Sequence, residues 1–255
     1  MTRPLILLSN DDGYARRGIR AMREALATVA DVVICAPEHE QSASSHALSL
    51  SRSLRLREVE KGAIYALDGT PADCVYVALH SKGRVLPRRP DLVVSGVNHG
   101  LNLGQDVFYS GTVAAAREGA FRGIPAVAAS AHPKLDYGIA ARAIAKLAID
   151  LFGRVPFETT PLLNVNFPAD WKGELRATRL GERLYEESVE FRTDPRGREY
   201  LWLGGGGVRH ERDEGSDTDA YDEGVASITP LMLDLTGRQH TVLVLDLAKQ
   251  VGGET

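Results

Sequence analysis

Two adjacent carboxylates, Asp11 and Asp12, stand between an apolar run, Leu5-Ile6-Leu7-Leu8-Ser9, and Gly13. An apolar run this short reads as a buried parallel strand, and open α/β sheets bind ligands just beyond the carboxyl ends of their strands. Neighbouring carboxylates in such a place repel one another and lose water, which is costly unless a cation or hydrogen-bond donors offset the charge. A hard divalent cation such as Mg²⁺ or Mn²⁺ takes oxygen ligands and meets that demand. The segment also fits a helix start that Asp11 or Asp12 caps, and taken alone it does not choose between the two.

Other polar clusters follow later strand signals. Gln41-Ser42 lies in a Ser-, His- and Glu-rich loop over 38–51, and Asn98 and Asn102 follow an apolar run at Leu92-Val93-Val94. In a parallel sheet all these loops emerge at one edge, where their side chains can converge. Two carboxylates, a hydroxyl and an amide oxygen suit Mg²⁺, Mn²⁺ or Ca²⁺ better than Zn²⁺. Tyr109-Ser110-Gly111-Thr112 directly precedes a helical segment, Val113 to Arg122. Hydroxyls and free N–H groups at a helix start form an anion site. A single such turn reads first as an ordinary cap; beside an oxygen-rich cation site it reads as a phosphate cradle. Cation and phosphate together point to phosphoester hydrolysis. His39, His46 and His99 fall in the same loops and could protonate a leaving group, although each type-by-type is more often a polar loop residue. Phosphate-loop, dinucleotide, HExxH and GxSxG signatures are absent. The acidic stretch from Glu211 to Glu223 lacks calcium-loop spacing and reads as a solvated loop.

The elements that must position these groups alternate strand and helix. After Gly13, Ile19, Met22, Leu26 and Val29 recur at helical spacing, and Val32 to Ala36 forms a second strand that Pro37 ends. Ser53 to Arg57 and Ala63 to Leu67 predict a hairpin. Thr70-Pro71 predicts a helix start, and Lys82 to Pro90 a basic surface loop. Ala126 to Ala129 gives another strand, and over 136–152 Ile139, Ala143, Ile144, Leu147 and Leu151 share a helical face. The fold class that follows is α/β, a Rossmann-like, doubly wound, mostly parallel sheet. Residues 1–160 form its metal- and phosphate-binding core. Residues 161–255 hold the last core strand, Leu162 to Asn166, and a strand-like C-terminal extension that includes Tyr200 to Leu203, a flexible Gly204–Gly207 patch and a late apolar run at Thr241 to Leu247. Protruding strands of this kind pair with partner chains.

A chain of 255 residues with a net charge of −4 and ordinary hydrophobic content predicts a soluble globular protein without the field of a nucleic-acid or membrane binder. Cys35 and Cys74 read as buried free thiols, which fits a reducing cytoplasm. Neither a signal-peptide layout nor a membrane-length apolar stretch is visible.

With these clusters in place, the chain resembles the SurE (survival protein E) nucleotidase family. The resemblance rests on Ser9-Asn10-Asp11-Asp12-Gly13, Ala36-Pro37 with Gln41-Ser42, and Gly69-Thr70-Pro71-Ala72-Asp73-Cys74. It continues through Ser95-Gly96-Val97-Asn98-His99-Gly100-Leu101-Asn102-Leu103-Gly104, Asp106-Val107, Tyr109 to Ala115 and Ser227-Ile228-Thr229-Pro230-Leu231. It implies a cytoplasmic, divalent-cation-dependent phosphomonoesterase that hydrolyses nucleoside 5′- and 3′-monophosphates. Asp11 and Asp12 would be the catalytic residues. Asp11, Asp12, Ser42 and Asn98 would hold one Mg²⁺ or Mn²⁺ per subunit, and Asn10, Asn102, Ser110, Gly111 and Thr112 would meet substrate and its phosphate. It also implies a homodimer or homotetramer that exchanges a C-terminal segment. This chain departs from the family where glycine follows the loop serine: here Ala43 stands, which restricts the backbone if the position needs positive φ. Glu38-His39-Glu40 likewise replaces a run resembling Asp-Arg-Asn. Two alternatives remain: a nucleotide-binding scaffold without turnover, and a haloacid-dehalogenase-type phosphatase with an aspartyl nucleophile, whose acids stand at i and i+2 rather than side by side.

Overall fold

The computed structural model describes residues 3–154, 156–186, 189–204 and 207–252. It begins with β1 (Leu5–Ser9), α1 (Arg17–Leu26) and β2 (Asp31–Pro37). Every residue of β1 is buried because helices cover both faces of the sheet. Side chains alternate along the strand, so Ile6 and Leu8 enter one core while Leu5 and Leu7 enter the other. Helix α1 turns Gly18, Ile19, Met22 and Leu26 inward and stops at Leu26, where the Ala27 N–H reaches the Arg23 carbonyl; Val29 lies beyond it.

The expected hairpin forms as β3 (Leu56–Glu60) and β4 (Ile64–Leu67), its first strand starting at Leu56 rather than Ser53. Helix α2 (Pro71–His80) starts where the sequence predicts. Thr70 Oγ1 accepts the Asp73 N–H at 3.1 Å and Asp73 accepts the Thr70 N–H at 2.9 Å, a capping box of a kind that contributes about 1 kcal/mol. Strand β5 (Leu92–His99) continues past Val94, so Asn98 sits on the strand end rather than in the loop after it. Then come the short α3 (Asp106–Tyr109), α4 (Gly111–Phe121), β6 (Ala126–Ala131), α5 (Tyr137–Phe152) and β7 (Leu162–Phe167). The buried face of α5 is Ala140, Ala141, Ile144, Ala145, Ala148 and Leu151. Ile139, placed on the inner face by the spacing, is instead exposed. The small residues take its place because α5 packs closely against α1.

The remaining elements are β8 (Leu175–Ala177), β9 (Leu184–Tyr185), β10 (Val189–Thr193), β11 (Glu199–Leu203), β12 (Val208–Arg209), α6 (Asp217–Asp222), β13 (Ala226–Pro230) and α7 (Thr241–Gly252). Two expectations fail here. The acidic stretch is no solvated loop: Asp217–Asp222 is helical, and Ser216, Asp217, Thr218 and Asp219 are buried. The apolar run from Thr241 is a helix, not a strand. Gly205 and Gly206 of the glycine patch lie outside the described residues.

The main sheet runs β3-β4-β2-β1-β5-β6-β7-β13-β8. From β4 to β7 every neighbouring pair is parallel; β3 and β13 are the antiparallel additions. Helices α1 and α5 cover one face, α2 and α4 the other. Chain order reverses between β1 and β5, which opens a crevice at their carboxyl ends, the usual ligand position in such sheets. Cys35 and Cys74 are free and buried. No helix among the described residues is long and apolar enough to cross a membrane.

Candidate active site

The chain leaves β1 into the crevice through a tight turn. Asn10 is buried, donates from Nδ2 to the Gly13 carbonyl (3.0 Å) and accepts the Gly13 N–H at Oδ1 (3.2 Å). Gly13 has φ +112°, a conformation open to glycine alone at little cost. Asn10 therefore shapes the turn that presents the next two residues. Those two diverge. Asp11 turns toward α4, where Oδ2 accepts the Thr112 N–H at 3.1 Å and Oδ1 accepts the Thr112 hydroxyl. Asp12 turns the other way and accepts the His99 N–H at 3.2 Å.

Burial dominates the charge state of both carboxylates. Asp11 is only 5% exposed. Loss of water lifts its pKa to about 6, with help from the neighbouring Asp12 and against the Thr112 hydrogen bonds. Burial also raises Asp12, opposed by the His99 N–H. Two acids that resist ionisation side by side create the electrostatic demand a cation satisfies.

The loop after β2 is tied to the same point, since the Gln41 N–H donates to the Asp11 carbonyl at 2.8 Å. Ser42 Oγ donates to Glu40 at 2.9 Å. Ala43 has φ +56°, so its backbone is left-handed in this chain. Ser44 Oγ is buried without a partner. Across the crevice, Asn98 Nδ2 donates to the Gly100 carbonyl at 3.0 Å, which leaves Oδ1 as the end of the amide available to a cation. Asp11, Asp12, Asn98 Oδ1 and the Ser42 hydroxyl are oxygen donors of the kind hard divalent ions take, although the two carboxylates turn to opposite sides and Ser42 is engaged by Glu40. Among the described residues no three His, Cys, Asp or Glu side chains gather to hold a metal, so neutral oxygens must complete any such shell.

Helix α4 brings its first turn against Asp11. A Cβ on Gly111 would stand 2.8 Å from the Asp11 Cβ, so only glycine allows this approach. Ser110 caps the helix by accepting the Val113 N–H at 3.1 Å. Thr112 and Val113 have their N–H groups engaged by Asp11 and Ser110. Asn102 is drawn into the interior: its N–H donates to Asn166 (2.8 Å), its Nδ2 to Ser130 (2.8 Å), and its carbonyl accepts from Asn164 (2.8 Å) and Asn166 (3.1 Å). It anchors the loop that follows β5. Asn164 and Asn166, two apart on β7, share one sheet face; that spacing is the signal that could have found them.

A family model for Survival protein SurE matches residues 6–187. The chain belongs to the SurE family. It is 62% identical over 241 residues to the 5′-nucleotidase SurE of Sorangium cellulosum (strain So ce56), covering 93% of each chain. It is 45% identical to the 5′-nucleotidase SurE of Vibrio vulnificus (strain CMCP6), covering 92% of this chain and 91% of that one. The crystal structure of the SurE protein from Aquifex aeolicus superposes with a TM-score of 0.80 at 36% identity, over 98% of this chain and 100% of the other. The doubly wound sheet is thus the SurE fold.

In this SurE-family chain the switch-point crevice widens beside Asp12 into an open cleft of about 810 Å³. Arg16, Arg17, Glu40, Ser42, His99 and Tyr137 line it. His99 Nδ1 meets the Tyr137 hydroxyl, and the two rings stand edge to face. His39 and His46 do not join that lining; His46 binds Glu118 on α4 at 3.0 Å.

Proposed function

We propose that the protein is a divalent-cation-dependent phosphomonoesterase that hydrolyses nucleoside 5′- and 3′-monophosphates. The observation that most supports this reading is the contact between Asp11 and the first turn of α4, which sets a buried carboxylate beside a helix start suited to phosphate. Relatives named 5′-nucleotidase SurE support the nucleotidase part of this reading.

Asp11, Asp12, Asn98 Oδ1 and the Ser42 hydroxyl would hold one Mg²⁺ or Mn²⁺. Such an ion supplies charge neutralisation on the phosphoryl group and a lowered pKa for the attacking water. The protein's own contributions are positional. Thr112 fixes both oxygens of Asp11, the His99 amide fixes Asp12, and the Ser110 hydroxyl with the Gly111 N–H receives phosphate oxygens at the positive end of α4. The cleft beside Asp12 offers room for the nucleoside, with Tyr137 and His99 as its aromatic wall.

We assign the active form to a homodimer or homotetramer in the cytoplasm, built through the C-terminal extension. Cross-strand pairing puts Val189 opposite Leu203 and Phe191 opposite Leu201 on one face of the β10–β11 hairpin. All four are exposed, as is the apolar side of α7, including Val242, Leu243 and Leu245. Contiguous apolar surface on a protruding hairpin is what a partner chain covers.

Phosphate release from nucleoside monophosphates, measured with Mn²⁺, with Mg²⁺ and with EDTA, tests the activity. Release with either ion and its loss in EDTA is the expected result. Absence of release with every ion, from protein that still binds nucleotide, overturns the hydrolase in favour of a scaffold.

A further inference from the structure

The turn that leads into α4 is gripped by the C-terminal extension. Asp106 opens α3, and its carboxylate takes two donors from that extension, the Arg183 guanidinium on Oδ2 and the Tyr185 hydroxyl on Oδ1. The guanidinium also lies 5.4 Å from the Tyr185 ring centroid. The Arg183 and Asp106 side chains are only 19% and 13% exposed, so loss of either would strand a charge in a poorly solvated place. Just before, Gln105 Oε1 accepts the Arg183 backbone N–H at 2.7 Å. Gly104 donates its N–H to Asp217 Oδ2 at 3.0 Å, while Asp217 Oδ1 takes the Gly181 N–H at 2.8 Å. A Cβ on Gly104 would meet the Gly181 carbonyl at 2.5 Å, so the two backbones are in contact.

From this grip a single hydrogen bond reaches the anion-binding turn, because the Asp106 carbonyl accepts the Ser110 N–H at 3.0 Å. Apolar burial does little for the same stretch. Phe108 and Tyr109 are exposed, and Val107 is the one buried residue of α3. Ser45 holds the Phe108 and Tyr109 carbonyls and Arg117 the Val107 carbonyl, and the polar contacts from the extension join them in setting where the chain enters α4.

We propose that Arg183 and Tyr185 are positioning residues for the start of α4: through Asp106 they fix where the Ser110 hydroxyl and the Gly111 N–H stand. The extension thereby tunes the affinity of the site for phosphate. The inference rests on the phosphomonoesterase reading for its substrate group, but its primary readout is anion affinity and needs no turnover.

The test compares full-length wild type with Arg183→Ala, Arg183→Lys, Tyr185→Phe and Arg179→Ala. Arg179 pairs with Asp213 in the same extension and makes no bond to residues 104–110. Calorimetric titration with inorganic phosphate in Mn²⁺ gives the dissociation constant, and kinetics give KM and kcat for a nucleoside monophosphate. Arg183→Ala is expected to weaken phosphate binding and raise KM about tenfold with a smaller change in kcat, within the range of coupling through packed polar networks. Arg183→Lys should recover most of that loss, Tyr185→Phe should cost about threefold, and Arg179→Ala should match wild type. Unchanged phosphate affinity in a folded Arg183→Ala overturns the proposal, as does an equal loss in Arg179→Ala. If Arg183→Ala does not fold, Tyr185→Phe decides: a wild-type phosphate affinity there overturns the proposal. Wild type that binds phosphate but releases none from any nucleotide overturns only the hydrolase reading, and the affinity comparison stands.

Discussion

The sheet up to β7 and the extension beyond it treat apolar residues in opposite ways. In the sheet, Leu7, Val33 and Val93 disappear under α2 and α4, and Ile6 and Val94 under α1 and α5. In the extension, Phe191, Leu201, Trp202 and Leu203 face outward, and α7 buries none of its residues. Strand-forming side chains are common to both; what differs is whether the chain itself supplies a covering layer. The first region covers its own apolar strands, and the second leaves those of its hairpin and its last helix uncovered. They meet where Asp217, Arg183 and Tyr185 reach the loop that feeds α4, so the extension touches the candidate active site.

The sharpest way to break this division is at Asp11, where the self-covering region buries a carboxylate. Asp11→Asn should lower phosphate release by at least about 100-fold, the scale of losing one preorganised charge contact. In chelator-treated protein the same change should raise stability. A carboxyl lifted to about 6 by burial contributes its full stability below its unfolded pKa, and that contribution is lost as pH rises through 6. Asparagine escapes this loss, so at pH 7 the variant should gain about 2 kcal/mol, and the gain should fade toward pH 4. Thermal melts across pH 4–8 check the trend. Retained activity would make Asp11 a mere cap; a gain independent of pH would remove burial as its cause.

Next come paired substitutions in the two regions. Leu7→Ala should cost about 2–5 kcal/mol by opening a core cavity, at every protein concentration. Phe191→Asp should leave the far-ultraviolet circular dichroism of the sheet intact and shift light-scattering mass toward the single chain. It should also abolish the concentration dependence of the melting temperature that subunit association imposes. If wild type already scatters as one chain, the apolar hairpin face is not an interface between copies.

The sequence made the first region easier to read than the second, for physical reasons. Parallel strands buried on both faces appear as unbroken apolar runs, so Leu5–Ser9 and Val32–Ala36 declare themselves, and Thr70-Pro71 marks a helix start. The acidic pair points to a cation site only because other polar clusters share its sheet edge. The divergence of Asp11 toward Thr112 and Asp12 toward His99 was not legible, since it depends on which helix covers each face. The 217–222 helix was missed because burial of Asp217 relies on the amides of Gly104 and Gly181, distant partners that local composition does not reveal. Thr241 to Leu247 mixes β-branched and straight apolar residues too evenly for periodicity to separate strand from helix.

The smallest expected effect lies at Ala43, in the loop beside the site. Its φ of +56° is a region where a Cβ costs roughly 1–2 kcal/mol. The loop cannot easily relax, because the Gln41 N–H is held by the Asp11 carbonyl at 2.8 Å and the Ser45 N–H by the Tyr109 carbonyl at 3.0 Å. Glycine would remove the strain but enlarge the freedom of the unfolded chain, an opposing effect of about 0.5–1 kcal/mol. Ala43→Gly should therefore stabilise the protein by up to about 1 kcal/mol, measurable by denaturant unfolding, with activity within about twofold of wild type. A destabilised variant would mean that the methyl group makes a packing contact worth more than the strain it carries, and that this chain's departure from glycine is an adaptation of the loop rather than a tolerated defect.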